Sequence, residues 1–182
     1  MKIIKTKIPD LLIIEPNVFE DDRGYFFESY NENNYKQEGI KSLFVQDNEA
    51  FSSYGVIRGL HYQLAPFSQS KLVRVVKGSV YDVAVDLRKN SPTYLQWVGI
   101  ELSGKNKKQF LVPRGFAHGY SVLEDDTLFV YKCDNFYNKE AERSIHPLDE
   151  TLNIDWKVPK DKLLFSAKDL QNPILEQAEY NF

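Results

Sequence analysis

Between residues 44 and 133 the chain runs as short β-prone segments broken every few residues by turn formers, and no stretch there has the length and pattern of a crossover helix. Parallel strands need such crossovers, so a parallel α/β fold is excluded. Many short strands at regular spacing must close on themselves as an all-β sandwich or barrel. The predicted strands cover residues 44–48, 56–63, 71–76, 80–87, 94–102, 110–112, 116–122 and 127–133. Gly78-Ser79, Asn90-Ser91-Pro92, Ser103-Gly104-Lys105-Asn106 and Pro113-Arg114-Gly115 supply the turns. In residues 80–87, alternation predicts Tyr81, Val83, Val85 and Leu87 facing the core, with Val80, Asp82, Ala84 and Asp86 on the other face. The same rule puts Thr127, Phe129, Tyr131 and Cys133 on one face.

The flanks differ from this middle. Residues 11–14 read as a strand, Glu20-Asp21-Asp22-Arg23-Gly24 as a charged turn, and residues 25–30 as an aromatic strand. Residues 31–38, closed by Gly39, have the length and terminal glycine of a short helix. Beyond Trp156 the chain turns polar, and Ser166-Ala167-Lys168-Asp169 resembles a capping box with Asp in place of Glu or Gln, predicting a short C-terminal helix. No repeat, low-complexity tract or linker marks a boundary, so residues 1–182 are expected to form one domain.

Composition narrows the function classes. A net charge of -3 gives no general attraction to nucleic acid or to an anionic membrane. Any bound anion must therefore be held by a local cluster. The start lacks an apolar leader and Leu11-Leu12-Ile13-Ile14 is too short to span a bilayer. With the single Cys133 no intrachain disulfide can form, and the expected location is cytoplasmic. Cys133 itself is either a nucleophile or a small apolar core filler.

Chemistry concentrates in Arg58-Gly59-Leu60-His61-Tyr62-Gln63 and the following Lys71. A base beside cations suits a reaction that removes a proton and then carries the resulting negative charge. The competing reading is a strand ending in a hydrogen-bonded histidine and a surface lysine. His61 and His118 with a carboxylate could form a metal site, yet there is no His-x-His pair, no His-Glu-x-x-His and no paired cysteine. Phosphate-cradling glycine loops are absent too, so guanidinium groups must bind any phosphate. On facing strands, a neutral histidine (His61) and a tyrosine (Tyr131) could take a proton from one side of a carbon acid and return one on the other, with Lys71 stabilising the enolate. That is epimerisation beside a carbonyl. Tyr131 could equally be a strand tyrosine whose hydroxyl is satisfied at the core's rim.

Several long blocks, in order, resemble the dTDP-4-dehydrorhamnose 3,5-epimerase family: Arg23-Gly24 with Glu28, Gln46-Asp47-Asn48, residues 58–63, Lys71, residues 78–88, residues 113–119, Tyr131-Lys132 and Lys168-Asp169. The resemblance spans nearly the whole chain. It implies an all-β, cupin-type double-stranded β-helix, a jelly roll with its core at about residues 40–135, short flanking helices, and N-terminal strands and a helical tail packed on it. It further implies no metal and no cofactor, and a homodimer that exchanges N-terminal strands. His61 then looks like the base at C3 and C5 of a dTDP-4-keto-6-deoxy sugar, Asp169 its orienting carboxylate, Tyr131 the opposing acid and Lys71 the cation at O4. Arg23, Glu28, Gln46, Asp47, Asn48, Arg58, Lys71, His118, Glu142 and Lys168 fall where the family contacts its nucleotide-sugar, and Phe26 or Tyr137 could stack on the base.

Two expectations carry a physical condition. Asp169 serves either as a helix cap for Ser166 or as the partner of His61. Strict alternation puts Arg58 and His61 on opposite faces of one strand, so if both reach a ligand, Gly59 must sit at a bulge or the ligand must wrap past the strand edge. The implied product is dTDP-4-dehydro-L-rhamnose. The rivals are a single-carbon epimerase or one acting on another nucleotide-linked 4-keto sugar, a non-catalytic sugar-nucleotide binding barrel, and a metal-dependent cupin oxygenase.

Overall fold

A computed structural model describes residues 1–182. Thirteen strands and one short α-helix make up nearly all its regular structure. The strands are β1 (Lys2–Lys5), β2 (Leu12–Glu15), β3 (Phe19–Asp21), β4 (Gly24–Phe26), β5 (Gln46–Ser52), β6 (Ile57–Gln63), β7 (Lys71–Lys77), β8 (Ser79–Asp86), β9 (Trp97–Ser103), β10 (Gln109–Val112), β11 (Phe116–Val122), β12 (Thr127–Cys133) and β13 (Glu142–Ser144). No helix is long and apolar enough to cross a membrane.

The pairing pattern defines the fold. Within the run β5 to β12, β5 pairs antiparallel with β12, β6 with β11, β7 with β10 and β8 with β9. These nested pairs alternate between two sheets, as when one long hairpin is rolled up. The first sheet has the order β1-β2-β10-β7-β12-β5 and the second β13-β6-β11-β8-β9. The protein is an all-β jelly roll of the cupin type, and β1 and β2 widen its first sheet.

Three apolar layers hold the sheets. Between them, Val73, Val75, Val80, Ala84, Phe110, Val122 and Phe129 form the central core. Outside the second sheet, Val83, Val85 and Leu87 pack under the C-terminal tail, against Leu152, Trp156 and Leu175. Outside the first, Leu72 and Leu111 pack under Tyr35 and Ile40. The second sheet is therefore covered on both faces around β8, and the first on both faces around β7 and β10, while the outer face of β5 stays exposed. This corrects the expectation for β8: Val80 and Ala84 face the central core, Val83 and Val85 the tail, and Asp82 and Asp86 are fully buried. Alternation tells the two faces apart but cannot say that one is wet.

Local corrections follow the same logic. The aromatic strand expected over residues 25–30 stops at Phe26, where pairing with β3 ends. Glu28 then accepts the side-chain amides of Asn31 and Asn34. Asn31 caps α1 (Glu32–Gln37), accepting from the backbone N–H groups of Asn33 and Asn34. Gly39, at φ +82°, lets the chain leave it. The strand expected at residues 44–48 begins at Gln46 and runs on to Ser52. The expected C-terminal helix is only a 3₁₀ turn, Asp169–Gln171. Asn172 is already extended, as a residue before proline prefers, so Pro173 ends the helix at once.

Candidate active site

An open cavity of about 550 Å³ lies at one end of the roll, between the sheets. Asn48, Arg58, His61, Lys71, His118, Tyr131, Lys168 and Asp169 all line it. A second lobe of about 280 Å³ shares Asn48, His61, Lys71 and Tyr131 with the first and adds Gln46, Tyr137 and Glu142. The lobes therefore form one cleft, with those four shared side chains at its waist.

His61 reaches the cleft through a bulge. On β11, His118 lies opposite His61 and Tyr120 opposite Arg58, so a two-residue step faces a three-residue step on β6. Gly59 is the extra residue: its φ is +140°, and a Cβ there would lie 2.6 Å from Gly119 Cα. The bulge is the geometry required for Arg58 and His61 to reach one cavity.

His61 Nε2 lies 2.7 Å from Asp169 Oδ1. Asp169 is 4% exposed. Burial pushes its pKa up, but the bond and charge of His61, with hydrogen bonds from Ser166 and Asn172, hold it below the ordinary aspartate value. An ionised carboxylate only accepts, so Nε2 carries the proton and the other ring nitrogen, Nδ1, presents a free lone pair. Ser166 Oγ donates to Asp169 Oδ2 at 2.9 Å and accepts the Asp169 backbone N–H at 3.0 Å. The two alternatives for this segment thus coexist: Ser166 caps the turn, and the Asp169 carboxylate turns to His61.

Across the cleft, on the first sheet, stand Lys71 of β7 and Tyr131 of β12. Lys71 Nζ is 5.8 Å from the centre of the Tyr131 ring. Desolvation pulls the Lys71 ammonium below the ordinary lysine value, opposed by charges at Cys133, Asp82 and Glu142. Burial, then Cys133, pushes the Tyr131 phenol up, while Arg58 pulls it down. Tyr131 therefore stays a proton donor at neutral pH. Cys133 is buried, its thiol pushed up to about 11, chiefly by desolvation. The thiol is a core filler here, with a weak contact from Asn48 Nδ2 at 3.7 Å.

Arg58 donates to Ser52 Oγ at 3.2 Å and has no carboxylate partner, leaving a guanidinium charge for the cavity. At the outer lobe, Glu142 accepts from Lys168 at 2.7 Å and from the Tyr137 hydroxyl at 3.1 Å. Burial raises the Glu142 carboxyl, but Lys168 turns the net shift downward. Gln46 Oε1 accepts the Tyr137 backbone N–H at 3.1 Å, so the exposed Tyr137 ring is set by both sides of the lobe. No three His, Cys, Asp or Glu side chains are grouped like metal donors.

Three expected contact residues are not brought to the cleft. Asp47, between Gln46 and Asn48 on β5, points to the opposite face and pairs with Lys132 at 2.8 Å. Arg23 projects from the β3–β4 hairpin, bound to Asp21 at 2.6 Å, and Glu28 serves the start of α1. Phe26, on the same hairpin, is exposed and equally remote. One residue was missed: Asp82, fully buried, lies 2.8 Å from His118 Nε2 through Oδ1. Nothing local to β8 marks it, since alternation puts Asp82 with Val80, Ala84 and Asp86 on the face that would ordinarily be wet, and that face lies against the central core.

Comparison with known proteins bears on this arrangement. The family model described as dTDP-4-dehydrorhamnose 3,5-epimerase matches residues 5–177. The chain is 52% identical over 181 residues to the dTDP-4-dehydrorhamnose 3,5-epimerase of Shigella flexneri, covering 99% of both chains. A crystal structure of the enzyme so named from Elizabethkingia anophelis superposes with a TM-score of 0.92 at 54% identity, covering 97% of each chain. A second, the dTDP-6-deoxy-D-glucose-3,5-epimerase of Legionella pneumophila in complex with dTDP-4-keto-L-rhamnose, gives a TM-score of 0.93 at 49% identity, covering 97% of this chain and 93% of that one. With the match running from the first strand to the tail that carries Asp169, the chain belongs to the dTDP-4-dehydrorhamnose 3,5-epimerase family, and it is an isomerase.

Proposed function

We propose that the protein converts dTDP-4-dehydro-6-deoxy-D-glucose to dTDP-4-dehydro-L-rhamnose by removing and returning protons at C3 and C5. The observation that carries this reading is the hydrogen-bonded His61–Asp169 pair on one wall of a cleft whose other wall holds Tyr131 and Lys71. His61 Nδ1 takes the proton from carbon, and the C–H electron pair moves through the adjacent carbon to O4 as an enolate. Asp169 stabilises the imidazolium that forms, and Lys71 the oxygen charge. Tyr131 then returns a proton from the opposite side, inverting the centre. His61 loses its proton to solvent and Tyr131 regains one before the next carbon is turned. His61 is partly exposed, which leaves solvent access for that reset.

In this reading Arg58, Asn48, His118 and Lys168 hold the sugar diphosphate, and Gln46, Glu142 and Tyr137 the outer part of the nucleotide. Arg23 and Glu28 act from the second subunit of a homodimer, carried there by the N-terminal strands, with Asp47 at the same junction. The free edge of β5 and the exposed Phe19, Phe26 and Phe51 favour such an assembly. A cytoplasmic site of action accords with a lone reduced cysteine.

Turnover of the 4-keto sugar in deuterated water tests the reaction. Deuterium at both C3 and C5 is expected; deuterium at one carbon only would select the single-carbon epimerase, and none at either would reject the epimerase.

A further inference from the structure

One carboxylate of the cleft region has no part in the scheme above. Asp82 is fully buried, and while Oδ1 bonds to His118, Oδ2 has no hydrogen-bond partner at all. A buried, half-satisfied carboxylate is costly unless positive charge faces it. His118 and Tyr120 face it from β11, and Lys71 faces it from β7 in the other sheet. Lys71 in turn faces Cys133 and Tyr131 of β12 and Glu142 of β13. Burial shifts the Asp82 carboxyl up and the Lys71 ammonium down; His118, through its charge and hydrogen bond, and then Lys71 oppose the first shift, and Cys133, then Asp82 and Glu142, oppose the second.

We propose that Asp82 is a positioning residue that acts through two neighbours, keeping Lys71 cationic where the enolate oxygen forms and holding His118 with Nε2–H inward and Nδ1 toward the cavity. The geometry is that of a second histidine–carboxylate pair, directly across the ladder from the first, since His118 pairs with His61 in register. Its hydrogen-bonding ring nitrogen is turned away from the cavity, which leaves His118 to orient substrate while Asp82 supplies charge from behind. The inference rests on the reading of Lys71 as the enolate's counter-charge.

Asp82→Asn keeps the shape and an acceptor for His118 and removes only the charge. The expected result is a fall in kcat on the order of 10–100-fold, as for other supporting residues behind a reactive group, with KM little changed. Alongside it, the Lys71 Cε resonance should titrate at lower pH than in the unmodified protein, which a merely structural role would not produce. A kcat that does not fall, or a fall without movement of the Lys71 titration, overturns the proposal while leaving the epimerase reading intact. Absence of exchange at C3 and C5 in the unmodified protein overturns both. Should Asp82→Asn not fold, nitrogen NMR of His118 in the unmodified protein decides: Nε2 protonated and Nδ1 bare is expected, and the reverse tautomer refutes the assignment.

Discussion

Replacing Asp169 by Asn isolates the charge of the His61 partner. The amide oxygen can still accept from His61 Nε2, and the amide nitrogen can donate to Ser166 Oγ, which sits 2.9 Å from Oδ2. Shape and most hydrogen bonding survive. What goes is the attraction between carboxylate and imidazolium, whose charge centres lie ~4 Å apart; at an effective dielectric of about 20 this is worth up to ~4 kcal/mol. Because the His61 side chain is 31% exposed, solvent reduces it, and about 2–4 kcal/mol is the reasonable range. At 1.36 kcal/mol per decade, kcat should fall roughly 30- to 1,000-fold. Deuterium uptake at C3 and C5, followed by proton NMR, measures it; uptake within about threefold of the unmodified rate would refute the role, being under 1 kcal/mol. Stability supplies an independent sign. The Asp169 carboxyl is held below its ordinary value in the fold, so its contribution is present above the unfolded pKa of about 3.9 and is lost as pH falls through the lower folded value. The thermal stability of the unmodified protein should therefore drop relative to Asp169→Asn as pH is taken below about 4.

Other perturbations separate the remaining parts. Tyr131→Phe should leave deuterium washing into recovered substrate through His61, while epimer formation falls by about 10²–10⁴; near-normal epimer formation would remove Tyr131 as the acid. Gly59→Ala must place a Cβ 2.6 Å from Gly119 Cα at a φ of +140°, and should destabilise the fold by roughly 2–5 kcal/mol in denaturant titration. A loss below about 1 kcal/mol would mean the bulge can be remade without glycine. Cys133, buried with its thiol pushed up to about 11, should resist alkylation in the native protein at pH ~8 and react on unfolding, as read by mass spectrometry. Mixed dimers of His61→Ala and Arg23→Ala chains should recover activity that neither variant has alone, because one of the two sites is then intact; no recovery would place Arg23 on its own subunit's cleft or outside the chemistry.

The strand rhythm of the middle of the chain was legible because turn residues mark each boundary, and the Gly59 bulge because Arg58 and His61 could not otherwise share a cavity. What escaped depended on distant chain. Nothing local to β8 announces that Leu152, Trp156 and Leu175 will roof its second face, so the burial of Asp82 was hidden by a pattern that usually means one wet side. The tail's Ser166–Asp169 spacing looked like a helix start, yet Pro173 allowed only a single turn. Asp47 follows plain periodicity: between Gln46 and Asn48 on β5 it lies on the opposite face, paired with Lys132, so a contact with the ligand must come by way of another subunit.

The nested pairing explains why this fold suits a two-sided proton exchange. Successive pairs alternate between sheets, so β6 and β12 stand on opposite walls although both open on the same end of the roll. A base on one and an acid on the other face each other across a space of fixed width, without a loop to position either. Strand registry then sets the neighbours: His61 brings His118 beside it through β11, and Tyr131 pairs with Val73 of β7, which leaves Lys71, two residues along that strand, as its diagonal neighbour. The one member of the proposed set not supplied by the roll is Asp169, which arrives on a tail anchored by the burial of Trp156 and Leu175 against the second sheet. The tail's apolar contacts thus set where the His61 partner stands. Loosening them should reduce proton removal before it unfolds the barrel, because the carboxylate would lose its place while the walls of the cleft kept theirs.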